Sequence, residues 1–272
     1  MTTQELDKID VHSVAVIVAA YNEEKFILDT LRALDRQHWD DVIHRDVLGS
    51  PRIIVVDNNS TDRTAQIVAE HIESNPRFPV ELITETQKGV GYAIDTATRH
   101  AIDTGATLVA RTDADTIPDA EWLSQLIRPL LDGKRLVGGR LRARTDEGFT
   151  NVVFNAIGVA WRLGHGVEWW RTRKEPDARR RSFAVCGPNM AFDAEIYRES
   201  GGFPRVSMDD ADEDIILQRR VRAITGSAGI ALAQKAVVYI SLRRLHAFGI
   251  KDFVTWYSTK DRDTTGKQVD VR

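Results

Sequence analysis

Thr107-Leu-Val-Ala-Arg-Thr-Asp-Ala-Asp-Thr116 is the stretch whose reading decides the fold. Thr107 to Ala110 is a short apolar run of the kind a buried strand needs. It leads directly into two carboxylates, Asp113 and Asp115, one residue apart. In an extended segment residues i and i+2 point the same way, so both acids can face one object. Paired carboxylates are costly to hold together unless a cation or a proton separates them. Hard oxygen ligands suit magnesium, manganese or calcium rather than zinc. An isolated D-x-D also occurs in plain polar loops, so its meaning rests on the chain around it.

Working outward, strand and helix patterns alternate four times. Val14 to Ala19, Ile53 to Val56 and Leu108 to Ala110 read as buried strands, and Val80 to Ile83 as a short third strand in chain order. Between them lie helical periods at Glu24 to Leu34, at Thr61 to Ile72 with Ser60 or Thr61 as cap, and at Gly89 to Thr104 with Gly105 as its stop. A fourth helix is expected over Pro118 to Leu131, with proline near its first turn. This alternation predicts an α/β fold of parallel βαβ units with right-handed crossovers. The second half is less regular. Leu136 to Ala143 is expected as a strand leaving the core, and Thr150 to Leu163 as a helix. Trp169-Trp170-Arg171 through Lys174, with Arg179 to Arg181, reads either as a solvated loop or as a mobile acceptor-contacting one.

A chain of 272 residues can bury a sizeable core as one large domain, or one domain with an appendage. The net charge of −3 gives no hint of nucleic acid. Cys186 is the only cysteine, which excludes an intrachain disulfide and a cysteine-based zinc cluster. Met1 to Asp10 lacks the apolar core of a signal peptide, and no apolar run approaches the ~20 residues that span a bilayer. A cytoplasmic protein without a transmembrane segment is expected, with peripheral membrane contact left open.

Ligands of doubly wound sheets bind beyond the carboxyl ends of the strands. Here the first strand ends in Ala20-Tyr21-Asn22-Glu23, the second in Asp57-Asn58-Asn59-Ser60-Thr61-Asp62, and the fourth in Asp113-Ala114-Asp115. Acids and amides from three strands therefore meet in one crevice, where they can accept from ribose hydroxyls or a base N–H. A dinucleotide site would need G-x-G-x-x-G after the first strand, and none is present.

Val16 to Glu24, Ile54 to Thr64 and Thr112 to Asp115 resemble the motifs of family 2 glycosyltransferases with the GT-A fold. The resemblance continues at Lys88-Gly89, Cys186 to Phe192, Gly201 to Phe203, Glu213 to Leu217 and Ser241 to Arg244, covering roughly residues 14 to 250. It implies a nucleotide-sugar-binding half at 13–117 and an acceptor-binding and catalytic half at 118–260. An extension at 1–12 and a tail at 261–272 flank them.

The resemblance also implies roles. Ala20, Tyr21 and Glu23 would line the base and ribose of a nucleotide-diphospho-sugar. Asp57 would bond the base with Asn59 nearby, and Lys88 would lie near the nucleotide or its phosphates. Asp113 would touch the ribose or sugar, and Asp115 would hold a divalent cation, manganese or magnesium, on the diphosphate. Asn189 looks like a sugar contact. Asp214, with Glu213 beside it, matches the family's base, at the first turn of a helix running to Arg222, where a carboxylate suits the dipole. Asn58-Asn59 and Ile94-Asp95 replace the more frequent Asp-Gly and Arg-Asn, which leaves the base identity open. The Q-x-x-R-W signature of processive synthases is missing, so a single transfer is expected.

Breaking a sugar–phosphate bond puts negative charge on the leaving diphosphate. A cation at Asp115 would stabilise it, and Arg243 or Arg244 could add bidentate phosphate contacts. An inverting enzyme needs a base on the opposite face of the sugar, for which Asp214 is the candidate. His246 is either a further metal ligand or an ordinary histidine. Trp161, Trp169 and Trp170 either stack on a ligand or pack, and Cys186 is most simply a small buried residue. The expected reaction is transfer from a nucleotide-diphospho-sugar, UDP-linked, to a hydroxyl of a small-molecule, lipid-linked or glycan acceptor. A non-catalytic nucleotide-sugar-binding module is the alternative from another class. A sugar-phosphate nucleotidyltransferase would need a glycine-rich loop after the first strand, which is absent.

Overall fold

The structure, a computed structural model, describes residues 12–39, 48–144, 151, 154–155, 158, 166–167, 170–176, 185–205 and 213–243. β1 (Val14–Ala20), β2 (Arg52–Asp57), β3 (Val80–Thr84) and β4 (Leu108–Asp113) pair in parallel in the order β3-β2-β1-β4. Parallel neighbours need crossover connections. α1 (Ile27–Asp35), α2 (Thr64–Glu73) and α3 (Val90–Asp103) supply them.

The apolar runs are continuous because both faces of this half are covered. Val14, Val16 and Val18 pack with Ile27, Leu31 and Leu34 of α1 and Val68 of α2. Ala15 and Ile17 belong to the opposite layer, with Ile54, Val56 and Ala93, Ile94 and Ala97 of α3. Each such side chain contributes roughly 1.5–3 kcal/mol when taken out of water.

The sheet does not stop at β4. β5 (Thr116–Pro118), β6 (Leu136–Ala143), β7 (Asn189–Asp193) and β8 (Ile230–Ile240) extend it to eight strands, continuing β4-β7-β6-β8-β5. β7 runs antiparallel to β4 and β6, β8 parallel to β6 and antiparallel to β5. α4 (Trp122–Leu131), α5 (Ala194–Glu199) and α6 (Glu213–Thr225) complete the described elements used below.

Four local expectations change. β6 does not leave the core: it lies between β7 and β8, with Leu136 and Val137 fully buried. Pro118 ends β5 opposite Val238, and α4 begins only at Trp122. α2 begins at Thr64 with Arg63 at its N-cap, not Ser60 or Thr61, and Asp62 Oδ1 accepts the Thr64 N–H at 2.9 Å. β7 and β8 carry no strand expectation from the sequence. α3 ends as expected, with Gly105 at φ +99° after its last turn. Most of the expected 150–163 helix, the 177–184 segment and the 261–272 tail lie outside the described residues. No helix among the described residues is long and apolar enough to cross a membrane.

Candidate active site

The D-x-D acids do not share one face of an extended strand. β4 ends at Asp113, and the chain turns at once into β5. The Thr116 hydroxyl donates to the Asp113 carbonyl at 2.7 Å, and Thr112 and Thr116 hydroxyls meet at 2.7 Å. Thr30, fully buried in α1, aims its hydroxyl at the carbonyls of Ala114 (2.8 Å) and Thr116 (2.7 Å). These threonines fold the segment into a turn, and each acid then meets a different guanidinium. Asp113 Oδ1 lies 3.4 Å from Arg111 Nη2, and Asp115 Oδ2 lies 3.1 Å from Arg243 Nη2.

Arg243 joins the end of β1 to this turn. Its Nη1 donates to Glu23 Oε2 at 2.8 Å, and its Nη2 donates to Glu23 Oε1. The guanidinium also lies 5.1 Å over the Phe26 ring. Glu23 is buried, and its N–H donates to Thr64 Oγ1 at 2.7 Å. Burial pushes the Glu23 carboxyl up to about 7, against the hydrogen bond from Arg243, with the charges of Asp115 and Asp113 adding to the rise. Arg243 thus places a positive charge between two acids, where a cation is favoured.

The loops after β1 and β2 are stitched together. Asn22, at φ +54°, accepts the Thr61 N–H at 2.8 Å, and its own N–H donates to Ser60 Oγ at 3.0 Å. Ala20 is buried opposite Asp57, and Tyr21 is half-buried beside them. Asp57 Oδ2 accepts the Ser60 N–H at 3.3 Å, while Oδ1 is buried with no hydrogen-bond partner among the described residues. Such an orphaned acceptor is costly unless a ligand donor meets it, which is what a base N–H or a ribose hydroxyl would do.

Asn58 and Asn59 turn their amides away from Asp57, onto the segment after β3. Asn58 Nδ2 donates to Glu85 O (2.8 Å) and Gln87 O (2.7 Å), and its Oδ1 accepts the Gly89 N–H at 2.9 Å. Asn59 Nδ2 donates to Thr86 O at 2.7 Å. These side chains fix the loop that carries the exposed Lys88.

Arg111 has no role in the sequence reading, yet it connects the two sides of the site. It is almost fully buried in β4, with Nη2 3.1 Å from Glu213 Oε1 as well as near Asp113. A Cβ at Gly187 would stand 3.1–3.3 Å from its guanidinium. The usable signal is an arginine directly after the apolar run Leu108 to Ala110 and two residues before Asp113. Glu213 and Asp214 open α6 as expected. Asp214 Oδ2 accepts the Gly187 N–H and Oδ1 the Ile215 N–H, both at 2.7 Å. Burial and the Glu213 charge push Asp214 above the usual carboxylate range, opposed by Arg111 and these two amides. Burial also pushes the Cys186 thiol up, which suits an inert small residue rather than a thiolate.

Asn189, expected as a sugar contact, is fully buried: Oδ1 accepts the Trp122 indole N–H at 2.8 Å, and Nδ2 donates to the carbonyls of Arg140 and Ala236, both at 3.0 Å. Its amide ties α4, β6 and β8 together. Arg244, His246, Trp161 and Trp169 lie outside the described residues. Trp170 is exposed, with the Arg173 guanidinium 4.2 Å over its ring.

Among the described residues no group of three or more His, Cys, Asp and Glu could hold a metal ion by itself. This still fits a magnesium-like cation, which takes one or two protein carboxylates and completes its shell with water and substrate phosphates. Asp115, paired with Arg243, is the carboxylate expected for that role.

An uncharacterized glycosyltransferase of Mycobacterium tuberculosis is 31% identical over 167 residues, 59% of this chain and 60% of that protein. A UDP-N-acetylglucosamine–dolichyl-phosphate N-acetylglucosaminyltransferase of Methanococcus voltae is 28% identical over 141 residues, 47% of this chain and 51% of that protein. The chain thus spans about half to three-fifths of the length of these curated relatives. Among solved structures, a mannosyltransferase from Pyrobaculum calidifontis in complex with GDP-Man and Mn2+ superposes with a TM-score of 0.61 at 24% identity. That match covers 92% of this chain and 61% of the other, and it shows a shared fold, GT-A. Residues 15–201 match the family described as glycosyl transferase family 2; with more than half of its length inside that match, the chain belongs to this family.

Proposed function

We propose that this protein transfers a sugar, with inversion, from a nucleotide-diphospho-sugar to a hydroxyl acceptor, in single transfers and with the help of a divalent cation. One observation carries the reading. Asp113, at the end of β4, is joined through Arg111 to the buried Glu213, beside Asp214 at the start of α6. A donor wall and a base therefore stand on one scaffold.

Asp57 Oδ1 receives the donor's base or ribose, and Glu23 and Asp113 line the remainder of the nucleoside. Lys88 attracts the phosphates. Asp115 would hold the cation, manganese or magnesium, which would supply Lewis-acid stabilisation of the leaving diphosphate. Arg243 moves from its carboxylates to the phosphate oxygens, a bidentate pairing that guanidinium geometry favours. Asp214 takes the proton of the attacking hydroxyl; its raised proton affinity brings it closer to the operating pH. Glu213 pairs with Arg111 at 3.1 Å and keeps the α6 start in place. UDP is the favoured nucleotide, supported by the motif set and by the name of the Methanococcus voltae relative. That name also supports a lipid-linked phosphate among the acceptors to be tried.

Thermal-shift measurements against UDP-, GDP- and dTDP-sugars, with and without manganese, test the donor, because ligands that bind only the folded state raise its melting temperature. A UDP-sugar with manganese is expected to give the largest rise. No shift from any donor would remove the reading. Binding without transfer or donor hydrolysis would point instead to a non-catalytic module.

A further inference from the structure

The loop after β3 is held from two sides. Asn58 and Asn59 hold it from the β2 end, as described above. On its other side stands Arg205. One arm, Nη1, reaches Asp95 Oδ2 at 3.0 Å; the other, Nη2, reaches Glu85 Oε2 at 3.0 Å and Gln87 Oε1 at 3.4 Å. Its guanidinium lies 5.1 Å over the Tyr92 ring. Glu85 passes this restraint directly into the loop, because its Oε1 accepts the Gln87 N–H at 2.7 Å.

Asp95 makes the anchor rigid. It is fully buried in α3 and accepts from the Tyr197 hydroxyl at 2.7 Å and from Arg99 Nε at 2.9 Å, besides Arg205. Tyr197 in turn accepts the Phe203 N–H at 3.1 Å, so the segment that carries Arg205 is fastened just before it. Arg205 stands eight residues ahead of Glu213 in the chain. It therefore joins the Lys88 loop to the segment that leads into α6. A lysine has one point charge and cannot span two carboxylates as a guanidinium fork does.

We propose that Arg205 is a positioning residue: by bridging Asp95 and Glu85 it fixes the Lys88 loop and so sets the affinity for the diphosphate of the donor. This rests on the donor-binding reading above. Loss of Arg205 leaves Asp95 with Tyr197 and Arg99, so the core is preserved, and it removes one of the loop's two restraints while Asn58 and Asn59 keep the other.

The test is calorimetric binding of UDP and GDP, with manganese, to the full chain and to Arg205→Gln, Arg205→Lys, Lys88→Ala and the double variant Lys88→Ala/Arg205→Gln. Arg205→Gln is expected to weaken binding about tenfold, and Arg205→Lys to restore little of it. Because coupled residues are non-additive, the double variant should bind no more weakly than Lys88→Ala alone. A purely structural role would lower the melting temperature and leave affinity unchanged, which overturns the proposal; so do additive losses, or a Lys88→Ala variant that binds like wild type. If Arg205→Gln fails to fold, Glu85→Gln, which weakens the same bridge from the loop side, replaces it under the same criteria. A wild-type chain that binds no nucleoside diphosphate overturns the donor reading and this proposal together. Normal wild-type binding with an indifferent Arg205 overturns only this one.

Discussion

In the β3-β2-β1-β4 half of the sheet, polar side chains gather beyond the strand ends; in the β7-β6-β8-β5 half, they lie between the layers. Glu23, Asp57 and Asn58 all sit past the last residues of parallel strands or at them. Asn189, by contrast, opens β7 opposite Thr112 of β4, with every amide atom engaged by α4, β6 and β8. The difference follows from strand direction. Parallel strands deliver all their carboxyl ends to one edge, so polar groups there face one crevice. Mixed strands have no common edge, and a buried polar group must be satisfied internally. Arg111 belongs to neither pattern: it lies in β4 at the seam with β7 and ties Asp113 to Glu213.

The largest effect that would break this comparison comes from the base. Asp214→Asn should lower kcat by roughly 10²–10⁴, the usual worth of general-base catalysis, with donor affinity unchanged in calorimetry. Retained turnover would remove Asp214 from the proposed reaction. The opposite profile is expected of Asn189→Ala. It should destabilise by about 2–3 kcal/mol, since it leaves the Trp122 indole and two carbonyls unpaired. That lowers the melting temperature by roughly 5–10 °C, while donor affinity of the folded protein stays put. A selective loss of donor affinity would return Asn189 to the ligand site.

Thr30→Val sharpens the role of the D-x-D turn. It removes the hydroxyl shared by Ala114 and Thr116, costing about 1–2 kcal/mol, and should also weaken manganese-dependent donor binding. Equal melting curves and equal binding would show that the turn forms without it. The mildest effect is a pH slope. Glu23 has an ordinary value of 4.5 and is held near 7 in the folded protein. Between these values the folded chain keeps a proton that the unfolded chain has released, so stability falls as pH rises through this window. Melting curves from pH 4 to 8 should show wild type losing ground to Glu23→Gln up to about pH 7 and running parallel above it. A constant difference across that range would place Glu23 at its ordinary value.

The parallel half was readable because burial on both faces leaves continuous apolar runs, as in Val14 to Ala19 and Ile53 to Val56. The acids and amides that follow these runs could be placed at one edge for the same reason. β8 was not readable. Its Gln234 and Lys235 are exposed in the middle of the strand, and its pairing with β6 shifts register there, so neither alternation nor a continuous run marks it. Asp95 gave no local sign of being fully buried either. Its partners Tyr197 and Arg205 arrive from more than a hundred residues away.

By itself, then, the sequence determined the βαβ half, the strand ends that carry Glu23, Asp57, Asp113 and Asp115, and the α6 start at Glu213 and Asp214. Those are local matters of apolar period, turn chemistry and chain order. Only the tertiary structure decided which charge meets which. Arg111 meets Glu213 across 102 residues and Arg243 meets Glu23 across 220. The same packing turned Asn189 inward and the D-x-D segment into a threonine-held turn. Ion pairs and buried amides depend on where distant segments come to rest, and no local pattern records that.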